Sequence, residues 1–143
     1  MDPARRQRIK DSFNALAPQG EALVNLFYEK LFLDHPEVRS MFPDDMTGQK
    51  RHLLTSLALI VKNIDNFAAL EGPLMKMGVR HLDYGTKPEH YPVVAGTLLS
   101  VMAELAGPIW TPQLEADWTA ALNAIAEVML KGTENRGQLR TAA

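Results

Sequence analysis

His81 is the residue in this chain best placed to do chemistry. It closes an apolar run, Phe67, Leu70, Leu74, Met77 and His81, spaced three or four residues apart, and a proline-opened segment then brings in Tyr91. An imidazole on the buried side of a helix is either a hydrogen-bonded core residue or a metal ligand. The four histidines, His35, His52, His81 and His90, lack zinc-like spacing. Asp44-Asp45 and the acidic residues from Glu115 to Asp117 mark corners and helix starts rather than acid/base pairs. There is no Gly-rich phosphate loop, no G-x-S-x-G elbow and no H-E-x-x-H. The chain has no cysteine, which removes disulfides, a thiolate nucleophile and iron–sulfur ligation. Hydrolysis, phosphoryl transfer and a metal held by several side chains are therefore set aside.

A single imidazole is sufficient when the cofactor brings its own donors. A porphyrin supplies four nitrogens and the protein need add only one, so one histidine is enough for haem. The remaining requirements are an apolar slot, a polar group over the open face and cations for the propionates. Phe42, Leu53, Leu57, Val94 and Leu98 are candidates for the slot. Tyr28 and Gln49 are candidate donors, and Arg80 or Lys50 stands at the edge. Tyr28 has the alternative of an interfacial core tyrosine, and Gln49 that of an exposed first-turn residue.

The elements that must position these residues read as helices throughout. Ile9, Phe13 and Leu16 define a first amphipathic helix from Asp2-Pro3, stopped at Pro18 and Gly20. Leu23, Leu26, Phe27, Leu31 and Phe32 form the inward stripe of a second helix, with Tyr28 on its edge, ended by Asp34-His35-Pro36. Met41 and Phe42 lie on a short turn before Pro43-Asp44-Asp45. Thr47 is the expected N-cap of a third helix whose buried face is Leu53, Leu57, Ile60, Val61 and Ile64, with Gln49 on the same face. A turn over Asn63 to Asn66 leads into the His81 helix, which Gly85 stops. The next helix starts near Glu89, so that Pro92 falls in its first turn, and it ends at Gly107-Pro108. Thr111-Pro112 opens the last helix, with Leu114, Trp118, Leu122, Ile125 and Met129 inward. Sustained period-two alternation, hairpin signals and internal repeats are all missing. The expectation is an all-α fold of six to seven helices, an irregular array rather than a symmetric four-helix bundle. Residues 1–131 form the domain, and 132–143 a flexible C-terminal tail with little to bury.

With 143 residues, 46% of them hydrophobic, the chain fits one domain around one core. Its 15 basic and 17 acidic residues nearly cancel, to a formal charge of −2, which disfavours nucleic acid and anionic membranes and favours small neutral ligands. The charged N-terminus lacks a signal-peptide core, and no run of about 18 apolar residues is present, so a cytoplasmic protein without a membrane span is expected.

The strings LFYEKLF, PEVRSMF, NIDN, the RH of GVRHLDYG, and KPEHYPVVAGTLL, followed by a Trp in the last helix, resemble single-domain bacterial globins of the Vitreoscilla haemoglobin type. They also resemble the globin domain of flavohaemoglobins. The similarity covers residues 5 to 131, and the order and spacing of the strings make it specific.

The resemblance implies a globin fold around haem b, with His81 as the proximal iron ligand and Phe42 packed on the haem at the corner. Tyr28 and Gln49 become the distal pair and Leu53 the apolar residue over the iron. A phenol O–H and an amide N–H in a dry pocket suit the negative charge that a bound O2 acquires, so slow O2 loss is expected. On the proximal side the family pairs its histidine with a tyrosine, here Tyr91, and with a glutamate late in the last helix. That glutamate aligns with Thr133, and Glu134 is one residue away. The corner between Phe42 and Gln49 is shorter than in flavohaemoglobins. His52, three residues after Gln49, has two readings, a solvated propionate-side residue or a second iron ligand in the ligand-free state.

Three functions follow. The first is reversible binding of O2, and of NO and CO, for oxygen transport, storage or scavenging. The second is nitric oxide detoxification by dioxygenation, which needs a separate reductase because no dinucleotide or flavin fingerprint follows the globin region. The third is a sensor, or a cofactor-free helical module in which His81, Met75, Met77 and Met102 merely fill the core. Either a monomer or a homodimer is compatible with these readings.

Overall fold

The structure, a computed structural model, describes residues 1–142, with side chains described as far as Glu134. Six α-helices and four short 3-10 segments follow one another, and no strand occurs among the described residues. The all-α expectation therefore holds.

Helix α1 (Pro3–Leu16) starts where Asp2 accepts the Arg5 N–H at 2.8 Å and Pro3 takes the first turn. Ile9, Phe13 and Leu16 are buried as their spacing predicts. Helix α2 (Gly20–Asp34) buries Leu23, Val24, Phe27, Tyr28 and Leu31, so Tyr28 lies inside the stripe rather than on its edge. A 3-10 segment, Pro36–Met41, then makes the corner.

Helix α3 (Thr47–Lys62) departs from expectation at its start. Thr47 is its first residue rather than its cap, and its N–H is bound by the Asp45 carboxylate at 3.0 Å. A carboxylate two residues upstream reaches the free amide as well as a threonine hydroxyl would. The expected turn at 63–66 is a 3-10 segment, Ile64–Leu70, interrupted at Asn66 (φ −126, ψ 62). Phe67 therefore belongs to that segment and not to helix α4 (Glu71–Asp83), which carries His81. The chain turns by 111° at the break between Thr47–Lys62 and the stretch Ile64–Asp83, so α3 and the stretch ending in α4 diverge as two walls.

Gly85, at φ 91, ends α4 in a conformation that other residues rarely adopt. Helix α5 (His90–Ala106) follows, with Pro92 harmless in its first turn. In helix α6 (Pro112–Ala142) the Thr111 hydroxyl accepts the Leu114 N–H at 3.1 Å. Leu114, Trp118, Leu122, Ile125 and Met129 are all buried. The segment expected to be flexible, 132–143, continues this helix to Ala142, and its side chains beyond Glu134 lie outside the described residues.

Two interactions fix α6 against the rest. A Cβ built on Gly78 of α4 would lie 2.0 Å from the Met129 carbonyl oxygen, and one on Gly132 of α6 would lie 2.4 Å from that of Met75. The two backbones touch at both points, and only glycine permits this. At the other end, fully buried Asp117 accepts from Arg5 Nε at 3.0 Å, from Arg8 Nε at 2.6 Å and from Gln113 at 3.0 Å. Trp118 Nε1 donates to Ser12 at 2.9 Å, so the buried polar groups linking α1 to α6 are satisfied. Among the described residues one helical stretch, His90–Ile109, is long and apolar enough to cross a membrane. Here its Leu98, Val101 and Met102 lie in the core, and Val93 and Val94 line a cavity.

Candidate functional site

Between the diverging walls lies a cavity of about 640 Å³. Most of its lining is apolar. Phe27 and Leu31 come from α2, Phe42 from the corner, Leu53 from α3, Met77 from α4 and Val94 from α5. Against these stand His81 on one wall and Tyr28 with Gln49 on others.

His81 is half-buried, and its Nδ1 lies 2.7 Å from the Met77 carbonyl one turn earlier. A carbonyl only accepts, so Nδ1 carries the proton and Nε2 keeps its lone pair. Burial pushes the His81 pKa below its ordinary value, partly opposed by the Met77 hydrogen bond and reinforced by the nearby charges of Arg80 and His52. The imidazole is thus held neutral, in a single tautomer, as a metal ligand requires. The rings of His81 and Tyr91 are 6.5 Å apart.

Tyr28 is 4% exposed. Its ring meets Phe27 and Phe42 edge-on, with centroids at 4.9 and 5.6 Å, and Phe32 at 5.8 Å. Gln49 Nε2 donates to its hydroxyl oxygen at 3.3 Å, and no acceptor for the Tyr28 proton is found among the described residues. Burial raises its pKa, so the phenol stays a donor. A buried O–H without a protein acceptor, on a cavity wall, is a place where a ligand completes the bonding.

The corner is held by Arg39, whose Nη1 donates to the carbonyls of Phe42 at 3.2 Å and Pro43 at 3.0 Å. Its guanidinium also lies over the Phe32 ring at 4.9 Å. Phe32 and Phe42 are edge-on at 5.3 Å, so this one side chain secures the aromatic cluster around Tyr28.

Of the residues singled out in the sequence, Tyr28, Phe42, Gln49, Leu53, Arg80, His81 and Val94 all line this cavity, and His52 stands exposed at its mouth. Leu57 and Leu98 are buried in the core, and Tyr91 is half-buried beside His81; none of the three lines the cavity. Lys50 lines a separate cleft. On the proximal side Thr133 donates to its own helix, to the Leu130 carbonyl at 2.7 Å, and Glu134 is exposed. Sequence reasoning missed Ser56, Tyr84, His90 and Val93 as lining residues. Ser56 had a legible signal, falling three residues after Leu53 on the same face. No cluster of three or more metal-ligating side chains occurs among the described residues. One neutral imidazole, one orphan donor, apolar walls and an edge cation fit haem, whose metal needs a single protein ligand.

Comparison with known proteins agrees. The family model described as Globin matches residues 25–129. A flavohemoprotein of Vibrio cholerae is 35% identical over 127 residues, which are 85% of this chain and 32% of that protein. The chain thus spans about a third of the length of its flavohemoprotein relatives. Among solved structures, a bacterial globin from Campylobacter jejuni is 29% identical with a TM-score of 0.84, covering 96% of this chain and 99% of that one. An engineered carbene transferase from Rhodothermus marinus, provisionally assigned as a nitric oxide dioxygenase, is 28% identical with a TM-score of 0.86, covering 98% and 99%. Helix order, a cavity with one histidine on its wall and these similarities lead to one conclusion: the chain belongs to the globin family, in the group shared by single-domain bacterial globins and the globin region of flavohemoproteins.

Proposed function

We propose that the chain holds haem b through His81 and binds O2 and other diatomic ligands reversibly, for storage, delivery or scavenging. One observation carries this reading. The same cavity presents an imidazole whose Nε2 and a buried phenol whose proton both lack a hydrogen-bond partner among the described residues. Haem held there by His81 would supply an iron at which a small diatomic ligand binds.

The chain's own residues do the rest. Met77 orients the His81 ring and fixes its proton on Nδ1, while burial keeps the imidazole neutral. Gln49, by donating to the Tyr28 oxygen, polarises the phenol toward the open side. The aromatic cluster of Phe27, Phe32 and Phe42 excludes water, so the Tyr28 donor acts at low dielectric. Phe42, Leu53 and Val94 supply apolar contact for a macrocycle, and Arg80 a cation at the edge for a propionate.

The same geometry supports storage over oxygen activation. His81 Nδ1 is tied to a neutral carbonyl, Thr133 to its own helix, and Glu134 is exposed, so among the described residues it is a carbonyl rather than a carboxylate that accepts the Nδ1 proton. Nitric oxide dioxygenation, with electrons from a separate reductase in the cytoplasm, is the second reading, favoured by the flavohemoprotein relatives.

Stopped-flow O2 dissociation tests the first reading. Tyr28→Phe removes one charge-assisted donor worth about 1.5 kcal/mol, so O2 should leave roughly tenfold faster. An unchanged rate removes Tyr28 from this role. Nitric oxide consumption that persists through many turnovers when a flavin reductase and its reduced nicotinamide are added, and stops after one turnover without them, supports the second reading. Consumption limited to one turnover in both cases refutes it.

A further inference from the structure

A short connection, residues 84–89, joins the His81 helix to α5. It gives Tyr84 and Thr86 to the wall of the larger cavity, and half-buried His90, the first residue of α5, follows them there. Both ends of the connection are tied. At the near end the Thr86 N–H donates to the carbonyl of His81 itself at 2.9 Å, after the turn that Gly85 makes at φ 91. At the far end Lys87 and His90 exchange two hydrogen bonds. The His90 N–H donates to the Lys87 carbonyl at 3.0 Å, and the Lys87 N–H donates to His90 Nδ1 at 2.9 Å.

An amide N–H only donates, so Nδ1 holds a lone pair and the neutral His90 ring carries its proton on Nε2. Reaching back three residues to a free amide at a helix start is the part that Glu or Gln plays in a capping box. Those side chains accept throughout the neutral range, whereas an imidazole accepts only while it is uncharged. On protonation Nδ1 becomes a donor, and the Lys87 N–H then faces it without an acceptor. A cation on the first turn of α5 also opposes the helix dipole.

Charged and titratable groups meet His90 from three sides. Glu37, on the corner segment Pro36–Met41, lies within reach of its charge and is bonded to His35 at 3.3 Å. Arg80, His81 and Tyr84, at the end of α4 and just beyond it, and His52 of α3 line the same cavity. Lys87 and Glu89 precede it in the chain. Among the described residues His90 is the side chain that accepts the Lys87 N–H.

We propose that His90 is a positioning residue for the haem site and makes that site responsive to pH. Its neutral imidazole closes the connection that leaves His81, and its protonation loosens that connection and speeds haem loss. The coupling runs through the Thr86 N–H on the His81 carbonyl and through the stretch of cavity wall that the connection supplies. It rests on the reading of the larger cavity as a haem site.

Haem transfer from the loaded protein to an acceptor globin, followed from about pH 8 to about pH 5.5 across the ordinary imidazole range, tests this. In the parent protein, haem loss should rise about fivefold beyond whatever rise His90→Gln retains through the other histidines. Glutamine can still accept the Lys87 N–H and does not titrate, so it removes this component. His90→Leu has no acceptor, and should lose haem about fivefold faster than His90→Gln already at pH 8. Hydrogen exchange of the Lys87 amide supplies a second readout. Its protection should fall with pH in the parent protein and persist in His90→Gln. Equal pH profiles in these two proteins, or equal Lys87 protection, overturn the proposal. Should His90→Leu fail to fold, that pair decides alone. A protein that takes up no haem refutes the haem reading and the coupling together, whereas a normal Soret band with equal profiles refutes the coupling alone.

Discussion

Replacing Gly78 by alanine sets the close approach of α4 and α6 against the ordinary benefit of alanine in a helix. The new Cβ would lie 2.0 Å from the Met129 oxygen, 2.6 Å from its carbonyl carbon and 2.9 Å from its Cα. All three are backbone atoms of a long helix, so no side chain can rotate away. Ordinary contact begins at 3.4 Å, so α4 and α6 must part by about 1.4 Å. Overpacking of this kind costs about 1–3 kcal/mol or more, against about 0.5–1 kcal/mol gained from helix propensity. Gly96, in the interior of α5, has nothing within 4 Å of its built Cβ. Gly96→Ala should therefore stabilise by about 0.5–1 kcal/mol, and Gly78→Ala destabilise by roughly 2 kcal/mol, moving the urea midpoint down by about 1 M. Gly78 also stands one turn before His81, so the same displacement moves the imidazole, and haem should be lost faster from Gly78→Ala. Urea unfolding and haem transfer to an acceptor globin measure the two effects. A Gly78→Ala protein as stable as Gly96→Ala would refute the close approach of α4 and α6.

Three further outcomes follow from the geometry. The guanidinium of Arg8, with Gln113 and Arg5, holds the Asp117 carboxyl at about 2, below its ordinary 3.8. Its folded pKa is depressed, so its contribution, about 2 kcal/mol, is present above the unfolded value and is lost as pH falls from about 5 through 2. Urea midpoints at pH 6 and pH 3 should converge in Asp117→Asn, and an equal fall in both proteins contradicts this. Arg39→Ala should loosen the corner and speed haem loss several-fold, with less than about 1 kcal/mol of global destabilisation. Arg39→Lys should not rescue it, because an ammonium cannot span two carbonyls while stacking on Phe32. Full rescue by lysine would show that only the charge matters. If His52 is a propionate-side residue, His52→Ala leaves the ligand-free ferrous spectrum five-coordinate, as in the parent protein. A six-coordinate parent spectrum abolished by that substitution would make it an iron ligand.

The helices were legible because their signals are local. Prolines and glycines mark their ends, and a spacing of three and four runs through Ile9, Phe13 and Leu16 as through Leu114, Trp118 and Leu122. Where the sequence reading missed, a neighbouring group had displaced the local rule. Asp45 took the capping bond from Thr47, and the non-helical Asn66 broke a stripe that spacing alone would carry from Phe67 to His81. Of the candidate site, His81 was legible as a polar residue closing an apolar stripe, whereas Tyr28 and Gln49 have ordinary readings by themselves and stood out through the resemblance of the strings around them. The extent of the site was not legible. Whether Tyr28 is buried depends on aromatic rings from two elements, and lining residues such as Tyr84 and His90 are set by where the α4–α5 connection passes. The neighbours of Tyr91 were the least legible, because Thr133 can satisfy its hydroxyl within its own helix, which no sequence spacing reveals.

Titration of haem into the purified protein, followed by absorption and repeated with His81→Gly in the presence and absence of imidazole, tests the central claim most directly. If His81 holds the iron, a Soret band saturates at one haem per chain, is lost or strongly shifted in His81→Gly, and returns when imidazole fills the space left by the side chain. An identical spectrum in His81→Gly without imidazole would contradict it.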